Sequence, residues 1–151
     1  MKKQQKGFSL IELLIVVAII LIIAAIAIPN LLRSKMAANE ASAVGSLRTI
    51  NTASVAFSTT YNNYPTKLSD LATNGTASST AADLIDSVLA SGTKSGYTFT
   101  YTSATPYQQY TLTGAPVNQN VTGQRYFYTD QSGVIRANPA GAATSGSTPI
   151  S

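Results

Sequence analysis

The feature that most constrains this chain is a run of sixteen consecutive apolar residues near its N-terminus, from Leu13 to Ile28. As an α-helix the run rises about 24 Å, at roughly 1.5 Å per residue, and Leu31 and Leu32 extend it. A bilayer core is about 30 Å thick, so the extended run approaches the length of a membrane span. Lysines precede it at positions 2, 3 and 6, and this placement of charge predicts a cytoplasmic N-terminus.

One acidic residue, Glu12, lies at the start of the apolar run. An unpaired acid in the hydrocarbon costs about 2.5–3.5 kcal/mol on insertion scales, so a plain membrane anchor explains the run but not the acid. A secretory signal peptide is a second interpretation, because Ala25-Ile26-Ala27 matches the small-residue cleavage pattern. Glu12 argues against it, since the corresponding region of a signal peptide is apolar, and the helical pattern continues beyond the supposed cleavage point.

Beyond the apolar run the pattern becomes amphipathic, which predicts that one helix continues from a membrane segment into a half-buried one. Seven side chains at helical spacing define an apolar stripe: Met36, Ala43, Leu47, Ile50, Phe57, Tyr61 and Tyr64. The opposite face carries Arg33, Asn39, Ser42, Ser46, Thr49 and Thr60. The helix should end near Asn62 and Asn63, because Pro65 stops it. Pro29 lacks an N–H group and should kink the helix or loosen it locally.

A connector should follow the helix over residues 65–95. The stretch from Pro65 to Ala72 suits one short helical turn, and the Thr, Asn, Gly and Ser residues after it are typical of a loop. The sequence from Thr80 to Gly92 predicts a short helix, in which Thr80 caps the N-terminus and Gly92 ends the C-terminus. Its apolar side chains, which we expect to pack, are Leu84, Ile85, Val88 and Leu89.

A change from helical to alternating period predicts a sheet over residues 96–137. Aromatic residues alternate with threonines from Tyr97 to Thr102, which is typical of a strand with one buried face. Residues 109–114 are a second strand candidate, and residues 125–136 predict a hairpin with its turn at Asp130 to Gly133. We therefore predict an α+β fold, in which an antiparallel sheet of three or four strands packs on the long helix. Residues 138–151 are low in complexity and should be disordered.

Composition excludes several classes of function. The chain has no histidine and no cysteine, which removes imidazole and thiol chemistry, disulfides and the commonest zinc ligands. Without the first seven residues, seven basic residues stand against six acidic ones, so we predict no nucleic-acid partner. Asp83 and Asp86 are the remaining candidate catalytic pair, and solvated charges near a helix N-terminus explain them more simply. We predict no enzymatic activity, no cofactor and no metal site.

The segment KGFSLIELLIVVAII resembles the N-terminal signature of type IV pilins and of the related pseudopilins of type II secretion systems. That signature combines a short basic leader, a Gly-Phe junction, a small polar residue, apolar residues and an acid. Its members here are Lys6, Gly7, Phe8, Ser9, Leu10, Ile11 and Glu12. The close match covers residues 6–32, and the order of long helix, connector and sheet extends the likeness over most of the chain.

The resemblance implies a route of processing and assembly. A prepilin peptidase would cleave between Gly7 and Phe8 and methylate the new amine of Phe8. The inner-membrane assembly machinery would then move subunits from the lipid into a helical homo-oligomeric filament, which ends up outside the cell. Before assembly the N-terminus would be cytoplasmic and the C-terminal region periplasmic. The corresponding segments are a cleaved leader (1–7), a membrane and filament-core helix (8–32), its amphipathic continuation (33–64), the connector (65–95), the sheet (96–137) and a flexible tail (138–151).

Cleavage at this junction would place a positive α-amine four residues before Glu12. Opposite charges about 4 Å apart attract by roughly 4 kcal/mol at an effective dielectric near 20, and N-methylation keeps the charge. We hypothesise that Glu12 pairs with the Phe8 amine of a neighbouring subunit and sets the register of the filament. A carboxylate at the level of the lipid headgroups is the alternative interpretation of Glu12.

Pilins and pseudopilins share these features, and their C-terminal regions distinguish them. The major pseudopilins usually carry a calcium-binding loop there, whereas this chain has a single acid, Asp130, after residue 86. One carboxylate is too few for an oxygen-rich calcium site. The cysteine pair of many pilins is also missing, which points the other way. The sequence favours a pilus subunit, and a pseudopilin of a type II secretion system is the alternative.

Overall fold

The structure, a computed structural model, describes residues 7–72 and 77–150. Residues 1–6, which make up most of the expected leader, lie outside the described residues, as do residues 73–76 of the connector and residue 151. The chain divides into two compact units, Met1–Ser34 and Lys35–Ser151. One helix, α1 (Leu10–Tyr61), contributes residues to both units.

In the first unit, α1 is apolar on every side. Its large apolar side chains from Leu10 to Leu32 are all exposed, and Phe8 precedes them at 86% exposure. The helix has the length and the composition needed to cross a membrane. Pro29 lies inside it, and the backbone is helical on both sides of the proline. A helix that is hydrophobic all round requires lipid or other protein around it.

In the second unit, α1 buries the predicted stripe, whose most buried members are Ala43, Leu47, Ile50 and Phe57. The stripe contains two gaps of seven residues, and two polar side chains, Glu40 and Ser54, fill them and are buried as well. The expectation that Ser46 faces solvent is wrong. It is 6% exposed, because the buried face of the helix is wider than a single row of side chains.

The predicted end of α1 is confirmed. The helix stops at Tyr61, and the next residue, Asn62, adopts a φ of 61°. Asparagine tolerates this left-handed conformation and commonly ends helices in this way. Its N–H group still donates to the Ser58 carbonyl at 2.9 Å.

Within the described residues the sheet has six strands in chain order, all antiparallel to their neighbours. They are β1 (Thr93–Lys94), β2 (Tyr97–Ser103), β3 (Tyr110–Pro116), β4 (Tyr126–Asp130), β5 (Arg136–Asn138) and β6 (Thr148–Pro149). This confirms the α+β prediction and the hairpin of β4 and β5. The predicted number of strands was too low, because β1 and β6 have two residues each and are too short to show an alternating pattern.

Alternate residues of the sheet pack against α1 and form the core. Phe99 lies opposite Gly114, and Phe127 lies opposite Ala137. The largest buried side chains of the strands are Tyr97, Phe99, Tyr110, Leu112 and Phe127. The Tyr110 ring stacks on Tyr101 with centroids 5.2 Å apart and meets the edge of Tyr64 at 4.8 Å.

The connector contains less helix than predicted. A 3₁₀ helix at Leu68–Leu71 confirms the first helical turn. The second helix, α2, covers only Ser87–Ala90, and Asp86 rather than Thr80 caps it by accepting the Leu89 N–H at 2.6 Å.

The residues just before α2 are irregular instead of helical, since Asp83 has a φ of 56° and Ile85 forms an isolated bridge with Ala72. The N–H groups of Leu84 and Ile85 both donate to the Leu71 carbonyl, at 2.9 and 3.0 Å. Helix propensity depends on neighbouring residues and therefore does not predict long-range backbone hydrogen bonds of this kind. As a result only Ile85 and Leu89 of the four expected side chains are buried, while Leu84 and Val88 are exposed.

The C-terminal segment differs from the disordered tail expected for residues 138–151. Strand β6 pairs with β5, and the Ile150 N–H donates to the Ile135 carbonyl at 2.9 Å. Ala143 is buried. A two-residue edge strand is too short to show an alternating pattern, so composition gives no sign of it.

Candidate functional site

The predicted cleavage junction lies just before α1. No atom stands within 4 Å of the position that a Cβ atom would occupy on Gly7. Phe8 is 86% exposed. Nothing in the described part of the chain therefore shields the peptide bond between these two residues from an enzyme.

Glu12 lies in the first turn of α1 and caps it. Its Oε2 atom accepts the backbone N–H of Ser9 at 2.9 Å. The two residues have the spacing of a capping box, and a negative charge suits the positive end of the helix dipole. Among the described residues the other carboxylate oxygen of Glu12 has no hydrogen-bond partner. Glu12 can thus accept a second donor and keep its bond to Ser9.

The candidate catalytic pair has a structural role. Asp86 accepts the Leu89 N–H and forms an ion pair with Lys94 at 3.1 Å. The hydrogen bond from Leu89, followed by that from Lys94, holds the pKa of Asp86 below its ordinary value. Asp83 is exposed and adopts a φ of 56°. Asp86 serves as the helix cap, a role that the sequence had assigned to Thr80.

An unforeseen ion pair between the buried Glu40 and the partly exposed Arg125 joins α1 to the β3–β4 connection. Glu40 is 9% exposed, and its Oε1 atom accepts the N–H groups of Gln124 and Arg125 at 2.8 and 3.1 Å. Its Oε2 atom pairs with Arg125 Nε at 2.7 Å. Desolvation acts to raise the pKa of Glu40, but the hydrogen bonds from Gln124 and Arg125 and the arginine charge outweigh it and lower the pKa.

The same connection is held against β2 and α1 at further points. A Cβ atom on Gly123 would overlap the ring of Tyr97. Burial raises the pKa of Tyr97, so its hydroxyl stays protonated and donates to the Arg125 carbonyl at 2.9 Å. The Asn39 side chain donates to the Thr122 carbonyl at 2.8 Å. These contacts fix the position of residues 117–125 on the second unit.

The spacing of the stripe contained a signal for Glu40. It follows Met36 by four residues and precedes Ala43 by three, so it lies on the predicted apolar face. A lone acid on such a face predicts a buried partner, because an unpaired charge is too costly there. The identity of the partner could not be predicted from the sequence, since Arg125 lies 85 residues after Glu40.

Comparison with known proteins places the signature in a family. Residues 2–28 match the prokaryotic N-terminal methylation motif, which confirms the resemblance identified in the sequence. The chain is 60% identical over 38 residues to the type IV wide pilus major component PilA4 of Thermus thermophilus. It is 46% identical over 54 residues to the type IV major pilin protein PilA of Myxococcus xanthus. It is 34% identical over 65 residues to the type II secretion system core protein G of Aeromonas hydrophila.

These likenesses cover part of each molecule. They take in 25, 36 and 43% of this chain, and they span 29, 24 and 46% of the three relatives in the same order. No solved structure matches the chain. The chain thus matches less than half the length of each of these relatives.

Proposed function

We propose that this chain, which carries the N-terminal methylation motif, is a structural subunit of a type IV pilus filament. The observation that carries the proposal is an exposed apolar helix, residues 10–32, that begins just after the accessible junction of Gly7 and Phe8. The helix continues as the buried core helix of a folded α+β unit. Two of the relatives bear the names of major pilus subunits, which supports a structural rather than a catalytic role.

In this proposal a prepilin peptidase removes residues 1–7. Gly7 presents no side chain to the enzyme, and the bond to Phe8 is open to approach. Methylation of the new amine leaves its positive charge in place. The mature chain then starts with Phe8, one residue before the Ser9 N–H that caps α1 through Glu12.

The apolar half of α1 must be shielded from water both before and after assembly. Its side chains are exposed on all sides of the helix, so water is an unfavourable surrounding for it. Lipid of the inner membrane covers it in the free subunit, and the same helices of neighbouring subunits cover it in the filament core. The folded unit lies on the periplasmic side until the assembly machinery moves the subunit out of the membrane.

Glu12 sets the register between neighbouring helices in this arrangement. One of its oxygens keeps the Ser9 N–H, and the other accepts the Phe8 amine of the next subunit. The helix cap and the intersubunit pair therefore do not compete for the same atom. The cap also holds the carboxylate at a fixed place on the helix before the neighbour arrives.

The test is to shear surface filaments from cells that produce the chain, image them, and identify their subunits by mass spectrometry. We expect filaments built from this chain and their loss on deletion of its gene. A chain that stays with the cell envelope, together with loss of protein secretion on deletion, would instead identify a pseudopilin.

A further inference from the structure

Two polar clefts lie side by side where α1 ends. The first, of about 260 Å³, is lined by Ser58, Asn62, Asn63, Tyr64 and Gln108. The second, of about 350 Å³, is lined by Ala104, Thr105, Pro106, Gln108 and Gln109 on the β2–β3 loop. Gln108 borders both, so the two clefts are neighbours, and we call them together the paired clefts.

The backbone around the paired clefts is held in unusual conformations. Asn62 and Tyr107 have φ values of 61° and 59°, and for a residue as bulky as tyrosine this region is rarely occupied. The Tyr64 N–H donates to the Tyr107 carbonyl at 2.8 Å, and the Tyr107 N–H donates to Ala104 at 2.7 Å. Asn62 ends α1 in a conformation that asparagine tolerates, so Tyr107 is the strained residue, and strain of this kind concentrates at binding sites.

The side chains at the paired clefts offer both donors and acceptors. Each Asn or Gln amide carries two donor hydrogens and an acceptor oxygen. Gln108 Nε2 makes one long bond, 3.4 Å, to the Asn62 carbonyl, and the Asn62 side chain makes none within the described residues. The wall formed by Tyr64 is supported from behind by Tyr110, with centroids 4.8 Å apart.

The residues that line the paired clefts carry no formal charge. They include no Lys, Arg, Asp or Glu. The sequence from residue 95 to residue 124 contains no Lys, Arg, Asp or Glu. By contrast, the larger groove of about 540 Å³ between α1 and the β4–β5 turn has Arg48 in its lining. An anionic ligand finds no cation in the paired clefts.

We propose that the paired clefts bind an uncharged, polyhydroxylated ligand, a neutral oligosaccharide with one sugar ring in each cleft. Side-chain amides match sugar hydroxyls, which need a donor and an acceptor at nearly the same place. The Tyr64 ring offers an apolar surface to a sugar face. Gln108, between the clefts, contacts both rings. This binding belongs to the folded unit and does not depend on filament formation.

The experiment uses the full chain, purified in a phosphocholine detergent because detergents with sugar headgroups would compete. Neutral hexose and N-acetylhexosamine oligosaccharides are compared with uronic-acid oligomers by saturation-transfer NMR and titration. The variants are Gln108→Ala and Asn62→Gly, and glycine keeps the positive φ while it removes the amide. Gln131→Ala, an exposed amide on the larger groove, is the matched control.

We expect at least one neutral oligosaccharide to bind, with affinity about tenfold weaker in each cleft variant and unchanged in the control. The proposal is overturned if no neutral oligosaccharide binds, if uronic-acid oligomers bind more tightly, or if both cleft variants bind as well as the parent chain. Thermal unfolding of each variant checks the fold. Should Asn62→Gly unfold early, Gln108→Ala decides the result, because Gln108 is exposed. Filament formation is scored separately, so a failure here leaves the pilus proposal intact.

Discussion

At the scale of single residues, the two acids of α1, Glu12 and Glu40, differ in the donors that they find for their carboxylates. A carboxylate on an apolar helix face needs donors, and Glu40 finds three within its own chain, from Gln124 and Arg125. Among the described residues Glu12 finds one, the Ser9 N–H. The second oxygen of Glu12 is therefore open to the neighbouring Phe8 amine that we propose as its partner, whereas the charge of Glu40 is already neutralised.

The first prediction concerns Glu12. In Glu12→Gln the charge is lost while the size and the ability to accept the Ser9 N–H remain. A charge pair at about 4 Å contributes roughly 4 kcal/mol at an effective dielectric near 20, so we expect filament yield to fall by at least about tenfold. Yield is measured by immunoblot of sheared filaments, with total cellular protein unchanged.

Ser9→Ala is the matched control for Glu12. It removes a hydroxyl but keeps the backbone N–H that Glu12 accepts. We expect near-normal assembly from this variant. Normal filament yield from Glu12→Gln would refute the register role of Glu12.

The second prediction concerns Glu40. In Glu40→Gln two backbone N–H groups keep a neutral acceptor, but the partly exposed Arg125 loses its counter-charge. Hydrogen bonds to charged groups contribute about 1.5–3 kcal/mol, and exposure of the arginine reduces this value. We expect unfolding free energy to fall by about 2 kcal/mol, measured on the full chain in detergent by denaturant titration. A loss below about 0.5 kcal/mol would show that the pair is energetically neutral.

The third prediction is the pH dependence of the same pair. Because the folded-state pKa of Glu40 lies below its ordinary value, the unfolded chain binds more protons as the pH falls through that range. Stability from Glu40 is therefore complete above the ordinary pKa and is lost as the pH falls through the folded pKa. We expect the parent chain to lose more stability than Glu40→Gln between neutral pH and about pH 3. Equal losses would contradict the lowered pKa, since Asp86 and Asp130 titrate in both proteins.

At the scale of elements, the sequence predicted what local patterns encode. The 3.6-residue stripe located α1, Asn62 and Pro65 located its end, and alternating aromatics located β2. Three features could not be predicted from the sequence. They are the two-residue strands β1 and β6, the irregular stretch before α2, and the bond between Glu40 and Arg125. Each of these depends on groups far apart in the chain or on backbone atoms that all residues share.

The N-terminal signature was easier to recognise for the same reason. Gly7, Phe8, Ser9 and Glu12 are neighbours in sequence, and a capping box is a local structure. Even so, the bond from Ser9 to Glu12 was not foreseen. The sequence suggested a partner for Glu12 only in a neighbouring subunit, the Phe8 amine, and none within its own chain.

The fourth prediction concerns the connection between β3 and β4. In Gly123→Ala the new methyl group overlaps the Tyr97 ring, and overpacking of this kind typically costs about 1–3 kcal/mol. We expect that loss in a thermal or denaturant unfolding experiment. Gly141→Ala is the control, because open space surrounds that position, and it should change stability by less than about 0.5 kcal/mol. Equal effects of the two substitutions would disprove the close approach of Gly123 to Tyr97.

At the scale of the whole molecule, the two units have different requirements. The first, apolar on all sides, is stable only with lipid or protein around it. The second has its own core of helix and sheet and carries the polar surface with the paired clefts. In the function that we propose, the first unit serves for anchoring and assembly and the second for contact with the surroundings.

The most direct test of this account is the mass of the N-terminal peptide of the chain recovered from cells. Cleavage after Gly7 predicts a mature chain that begins with Phe8 and carries one methyl group on its α-amine. An N-terminus after Ala27, or an intact leader on the chain in sheared filaments, would contradict the account.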